Sequence, residues 1–190
     1  MPPKQKVAKE DILNAALTLT RQNGFDAVNA RAIAALLHCS TQPVFSNYAS
    51  MEALKSDVLA YAYELYHKRT NDAMSQGRYP PYKASGMAYI QFARDERELF
   101  QLLFMCRRSR KESEAADAFW DEIVQLVSSS TRLDTQSASR LHLEMWIFVH
   151  GIAAMIATSY LEFDEELISS MLSDAYLGLK ARYLAAAPDH

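Results

Sequence analysis

With 190 residues, 49% of them apolar, the chain is long enough for one ordinary domain, or for a small domain joined to a larger one, around a sizeable core. Only 5 glycines and 6 prolines interrupt much Ala, Leu and Met, which favours an all-helical protein. The net charge of −3 does not by itself point to nucleic acid, and two isolated cysteines, Cys39 and Cys106, exclude a disulfide framework or a zinc site and predict buried free thiols.

Charge is unevenly spread. Residues 1–70 hold 8 Lys/Arg against 6 Asp/Glu, and residues 71–190 hold 12 against 17. A mildly basic first part is weak support for a DNA-facing end. The N-terminus MPPKQKVAKED lacks the apolar run of a signal peptide, so a cytoplasmic protein is expected. Lys4, Lys6 and Lys9 form a short basic arm, either a solvated tail or a contact to phosphate or minor groove.

A first helix is predicted over Lys9 to Asn23, with Ile12, Leu13, Ala16 and Leu17 at helical spacing. Gly24 follows as a left-handed C-cap, and Asn29 caps the next helix. Residues 29–48, NARAIAALLHCSTQPVFSNY, read as two short helices joined by a tight turn. Ile33, Ala34 and Leu37 face inward from the first. Ser40 or Thr41 caps the second, from which Val44 and Phe45 can face inward. Thr41, Gln42, Ser46 and Asn47 point out, a face suited to base edges in a DNA major groove. A long fourth helix runs from Met51 to Ser75, capped by Ser50.

The order Ile12, Ala15, Ala16, Leu17, then Gly24-Phe25, then Arg31, Ile33, Ala34, Ser40, Val44, Phe45, Tyr48, and finally Glu52, Ala53, Leu54 resembles the DNA-binding domain of TetR-family transcriptional regulators. The resemblance implies three N-terminal helices that read DNA, a linking fourth helix, a larger helical domain and a homodimer. It divides the chain into a reading domain, 1–50, and an effector and dimerisation domain, 51–190. The chain departs from the family pattern in six places. Asn29 replaces the usual Thr, His38 a Gly, Phe45 a Tyr, Asn47 a His, Tyr48 a Phe and Met51 a phosphate-binding Lys.

Beyond the break at Gly77, Pro80 and Pro81, helices are predicted over Tyr82 to Arg94 and, capped by Asp95, over Glu96 to Met105. Arg107-Arg108-Ser109-Arg110-Lys111 reads as a solvated basic loop able to pair with Glu112, Glu114 and Asp117. Helix seven spans Ser113 to Ser129, helix eight Gln136 to Tyr160 and helix nine Asp164 to Ala186, the last begun by Asp164. Met145 to Leu161 is the most apolar run. It is short for a bilayer, contains His150 and is bounded by Glu144 and Glu162, so a buried core or interface helix is predicted, with no membrane.

Trp146 through Ala154 resembles the Trp…His-Gly signature of one large group of TetR-family C-terminal domains. Gly151, Ala154, Ala157 and Thr158 form a flat face that admits another helix. The resemblance implies that helices eight and nine form a homodimer interface, with Leu167, Ile168, Met171, Leu172, Ala175, Leu179 and Tyr183 serving core and partner. It also implies a pocket for a small apolar or aromatic effector, for which the candidate lining is Met87, Phe92, Phe104, Met105, Trp120, Trp146, His150 and Tyr160. Arg94 and Thr158 are further polar candidates there.

No HExxH, GxSxG, P-loop or GxGxxG occurs, and no nucleophile has a base at a meaningful spacing. No enzyme, cofactor or metal site is therefore expected. The sequence reads as a homodimeric repressor that binds a near-palindromic double-stranded operator and is released by a small effector. Thr41, Gln42, Ser46 and Asn47 are assigned to base edges, and Arg31, Tyr48, Lys55 and Lys6 to phosphates. Pro43 and Phe45 complete the DNA-binding set. A second reading, a helical small-molecule-binding or scaffold dimer with weakened DNA reading, rests on Met51 and Phe45.

Overall fold

The computed structural model describes residues 7–106 and 110–185, with the backbone alone over 110–118. Nine α-helices and one 3-10 turn, with no strand, occur among these residues: α1 (Lys9–Asn23), α2 (Ala30–Leu36), α3 (Gln42–Asn47), α4 (Met51–Ser75), α5 (Pro81–Asp95), α6 (Arg97–Phe104), α7 (Arg110–Thr131), α8 (Thr135–Ala157) and α9 (Glu165–Ala185). The all-helical prediction holds. The chain forms two compact units, one of Met1–His67 with Glu96–Met105, the other of Lys68–Asp95 with Cys106–His190.

The first unit is built on an aliphatic core. Ile12, Ala16 and Leu17 of α1 meet Val28, Ile33, Val44, Tyr48, Leu54 and Val58, all buried. Each comes from the apolar side of a short amphipathic segment, so the core and the helices form together. Asn29 Oδ1 accepts from the backbone N–H of Arg31 and Ala32 at 3.1 and 3.0 Å, which caps α2 as predicted. Ser50 Oγ accepts from Ala53 N–H at 3.2 Å and caps α4.

Other ends close differently from the sequence reading. Gly24 has φ 80° but ψ 165°, an extended glycine-only conformation rather than the left-handed helix, although its N–H still bonds Thr20 O at 2.9 Å. Thr41 stands at the N-cap of α3 in helical conformation and makes no cap bond; Pro43, early in α3, needs no acceptor there. Helix α2 ends on His38, at φ 53°, with His38 N–H to Ala35 O at 3.2 Å and Cys39 N–H to Ala34 O at 2.9 Å. This is a Schellman closure, in which histidine occupies the left-handed position that glycine prefers. Cys39 is half-buried and Cys106 exposed, so neither thiol is sealed in a core.

Helix α6 packs on α1 within the first unit. Arg21 grips Glu96 with Nε at 2.7 Å and Nη2 at 3.1 Å, and Leu99, Phe100 and Leu103 are buried. Glu96, not Asp95, stands at the N-cap of α6, and it makes no side-chain cap bond.

In the second unit α8 lies against α5, α7 and α9. Leu141, Met145, Val149, Ile152 and Ile156 form its buried stripe. It has the length and hydropathy of a membrane span, and 44% of that window is buried in the protein. Asp134, in the turn that precedes it, caps it by accepting from Gln136 and Ser137 N–H at 2.9 and 3.0 Å. Helix α8 stops at Ala157, short of Tyr160, because Ser159 turns left-handed at φ 55°. A Cβ on Gly86 of α5 would meet Leu172 Cδ2 at 3.1 Å, so α5 and α9 approach closely there. Helix α7 begins earlier than predicted, taking in Arg110 and Lys111. The rest of the basic run, the side chains of Glu112, Glu114 and Asp117, and Lys4 and Lys6 lie outside the described residues.

Candidate nucleic-acid interface and aromatic core

Helix α3 is six residues long, too short to persist alone. Val44, which it buries, and Tyr48 just after it hold it against α1 and α2. Its other side is open: Gln42, Phe45, Ser46 and Asn47 are exposed, with Thr41 and Pro43 half-buried beside them. Phe45, read as able to face inward, is 55% exposed. Arg31 is exposed on α2. These residues share one surface of the first unit, held from beneath by its core.

Two residues of the predicted set, Lys55 and Tyr48, are not freely exposed. Lys55 is half-buried, with its ammonium 5.0 Å from the centre of the Phe25 ring. Lys6 lies outside the described residues, and Lys9 of the same arm, itself exposed, is paired at the surface, 2.8 Å from Asp57 Oδ2 and 4.7 Å from the Tyr48 ring centre. Tyr48 is 4% exposed, and among the described residues its hydroxyl has no hydrogen-bond partner. Burial, helped by the Asp57 charge, pushes its pKa up to about 12.

The second unit gathers a chain of rings. His142, Trp146 and His150 recur every four residues on one face of α8. Trp120 of α7 lies 4.3 Å from the His142 ring and 6.3 Å from Trp146, which stacks on His150 at 5.1 Å with planes 19° apart. Two tyrosines of α5, seven residues apart, complete it. Tyr82 Oη is 3.0 Å from His142 Nδ1, and Tyr89 Oη is 2.8 Å from His150 Nδ1. Tyr176 of α9 closes on Tyr82 with ring centres at 5.6 Å. Burial lowers the His142 pKa to about 4 and raises that of Tyr82, so both are neutral near pH 7. A neutral imidazole facing a phenol can donate and accept, and the flanking tryptophans present flat apolar faces.

Of the eight residues predicted to line a pocket, the structure brings together Trp120, Trp146 and His150. Met87 is half-buried on α5. Phe92 is fully buried, with the Arg69 guanidinium 5.7 Å over its ring. Phe104 packs on Tyr66 and Phe100 in the first unit, where Met105 is 44% exposed. Tyr160 is 76% exposed in the turn after α8. Arg94 is spent on the turn before α9, donating from Nη2 to Phe163 O at 2.6 Å. The sequence reading missed His142, Tyr82, Tyr89 and Tyr176 as members of the cluster. The four-residue spacing of His142, Trp146 and His150, with the seven-residue spacing of Tyr82 and Tyr89, was the signal that could have found them. Among the described residues no three His, Cys, Asp or Glu side chains come together as metal ligands.

The outer side of α8 and α9 is apolar. Leu143 and Ile147 are 44% and 58% exposed, and Leu177 and Leu184 are 60% and 45%. A Cβ on Gly151, one turn beyond Ile147, would meet nothing within 4 Å. The predicted flat face is corrected in one member: Ala157 is buried in its own unit. From the predicted stripe on α9, Ile168 and Leu172 are buried, and Met171, Ala175, Leu179 and Tyr183 are half-buried.

Residues 82–174 match the family described as tetracyclin repressor-like, C-terminal domain. No curated protein sequence matches the chain. Solved structures share the fold over nearly its whole length. A protein of unknown function from Rhodococcus sp. RHA1 superposes with TM-score 0.73 at 19% identity, over 96% of this chain and 98% of that one. A TetR-like transcriptional regulator from the same organism gives 0.64 at 16% identity, over 96% and 98%. The multidrug binding protein EbrR, solved with ethidium, gives 0.60 at 19% identity, over 92% and 99%.

Proposed function

We propose that the chain is a TetR-family regulator, a homodimeric DNA-binding transcriptional repressor released from its operator by a small apolar or aromatic effector; the match of residues 82–174 to a tetracyclin repressor-like C-terminal domain and the shared fold support this. The observation that carries this reading is α3, an exposed face of short polar residues and one phenyl ring on a helix fixed from behind by a rigid core. Thr41, Gln42, Phe45, Ser46 and Asn47 meet base edges, and Arg31 meets phosphate. Tyr48, Pro43 and Lys55 serve by holding the reading surface in place. Two such heads occupy successive major grooves of a near-palindromic operator, with centres about 34–36 Å apart or somewhat more.

The dimer is supported by the apolar outer side of α8 and α9, where Leu143, Ile147, Leu177 and Leu184 stand uncovered on one chain. The effector site is the aromatic chain around Trp120, Trp146, His142 and His150. Its stacked rings suit a flat aromatic molecule, the chemical class of the ethidium in EbrR. The effector acts only to the extent that it prefers one separation of the reading heads over another.

Selection from random duplex DNA with purified protein, repeated with Gln42→Ala, tests the reading. An inverted repeat enriched by the native chain and lost with the variant supports it. No enriched repeat at low salt rejects it in favour of the scaffold alternative. Light scattering of Gly151→Trp tests the dimer. The protomer has room for the first atom of that side chain, so a persistent dimer would place the interface elsewhere. Both tryptophans lie in the aromatic chain, and a titration with planar aromatics that leaves their fluorescence unchanged would remove the effector site.

A further inference from the structure

The polar groups on the α3 surface are not equally available. Ser46 Oγ donates to Gln42 O at 2.9 Å. Asn47 Nδ2 donates to Pro43 O at 2.9 Å and to Val7 O at 3.4 Å. Both side chains are therefore left with acceptor lone pairs alone. The Gln42 amide makes no hydrogen bond among the described residues and keeps its acceptor and both donors. Phe45 is 55% exposed. Gln42 and Phe45 are three residues apart, so their side chains are neighbours on one face, about 5–6 Å apart at Cβ. That separation spans one or two base steps.

Each base pair offers a different pattern in the major groove. Adenine shows an acceptor at N7 beside a donor at N6, which one side-chain amide satisfies at both points. Guanine shows two acceptors and calls for a charged double donor, and α3, Gln42–Asn47, contains no charged residue. The phenyl ring has neither donor nor acceptor. Laid on a polar base edge or a phosphate, it would strip water and return no hydrogen bond. The one apolar group a base pair displays in that groove is the thymine C5-methyl.

We propose that each operator half-site is read by the adjacent pair Gln42 and Phe45, Gln42 bonding an adenine at N6 and N7 and Phe45 packing on the methyl of a thymine within two base steps. Recognition is then A·T-selective and depends on a methyl group. This inference rests on the reading of α3 as a DNA-binding helix.

The test uses the full chain and its selected half-site. Replacing the contacted thymine by deoxyuridine removes only the methyl; it should weaken the native protein roughly fourfold and leave Phe45→Ala unaffected. Replacing the contacted adenine by 7-deazaadenine should weaken the native protein roughly tenfold and add nothing to Gln42→Ala. Both positions are exposed, and an unchanged melting temperature confirms that the variants fold. An enriched repeat that tolerates deoxyuridine throughout, or has G·C pairs at the contacted steps, overturns the proposal and leaves the regulator standing. If no repeat is enriched, both fall.

Discussion

The two units are helical throughout, yet they handle polar groups in opposite ways. Beneath α1 to α3 the core of the first is mostly aliphatic, from Ile12 and Leu17 through Ile33 and Val58, with the rings of Tyr66, Phe100 and Phe104 packed together beside α6. Its polar side chains are turned outward on α3, where water satisfies them until something else does. The second carries its polarity inside, as two phenol–imidazole pairs, Tyr82 with His142 and Tyr89 with His150, braced by two tryptophans. Under the proposed function the first unit's surface needs a stiff support, and the second unit's interior needs polar groups already satisfied without a ligand, because an unpaired one costs about 1–3 kcal/mol. The contrast is one of chemistry within a single secondary-structure class.

The largest effect should come from emptying the interior of the second unit. Phe92→Ala, at a ring with no exposure, should cost about 3–5 kcal/mol in urea denaturation. A loss below about 1 kcal/mol would mean that this core repacks.

Acid should next separate the units. An unfolded histidine takes a proton near its ordinary 6.5, whereas buried His142 resists until about 4. The unfolded chain thus binds the extra proton between these values, so stability is complete above pH 6.5 and declines as pH falls toward 4. The span corresponds to on the order of 3 kcal/mol. His142→Phe should flatten this part of the pH profile of tryptophan-monitored unfolding. An unchanged slope would place the sensitive group elsewhere.

A smaller change probes a polar atom left without a partner, among the described residues, in the first core. Tyr48→Phe removes the buried hydroxyl and should stabilise by about 1 kcal/mol while leaving DNA affinity unaltered. Weakened binding at unchanged stability would instead make Tyr48 a phosphate contact. The smallest effect is at the turn before α3. His38→Gly relieves a left-handed histidine and should add about 0.5–1 kcal/mol to stability in the same denaturation assay.

Local chemistry accounts for what could be read without coordinates. Apolar residues at helical spacing placed the helices. The bounds of α1 and α4 agree with the structure, and Asn29 and Ser50 cap because a short side-chain oxygen satisfies free N–H groups a few residues on. Ends closed by a left-handed residue other than glycine left no mark, so the stop of α8 before Ser159 was missed. The exposed side of α3 was legible from polarity alone, but Phe45 was ambiguous because one turn of helix does not say which side the core will take.

By itself the sequence determined the helical class, the order of the elements and an exposed polar surface around Gln42, since each depends on neighbours within about one turn. Tertiary structure decided that Tyr48 faces inward, that Lys9 pairs with Asp57, that residues 96–105 pack with α1 through Arg21 and Glu96, and that His142 joins Trp120 and Tyr82. Those pairings join residues tens of positions apart. They are set by which helix faces meet, and no local pattern in the chain specifies that meeting.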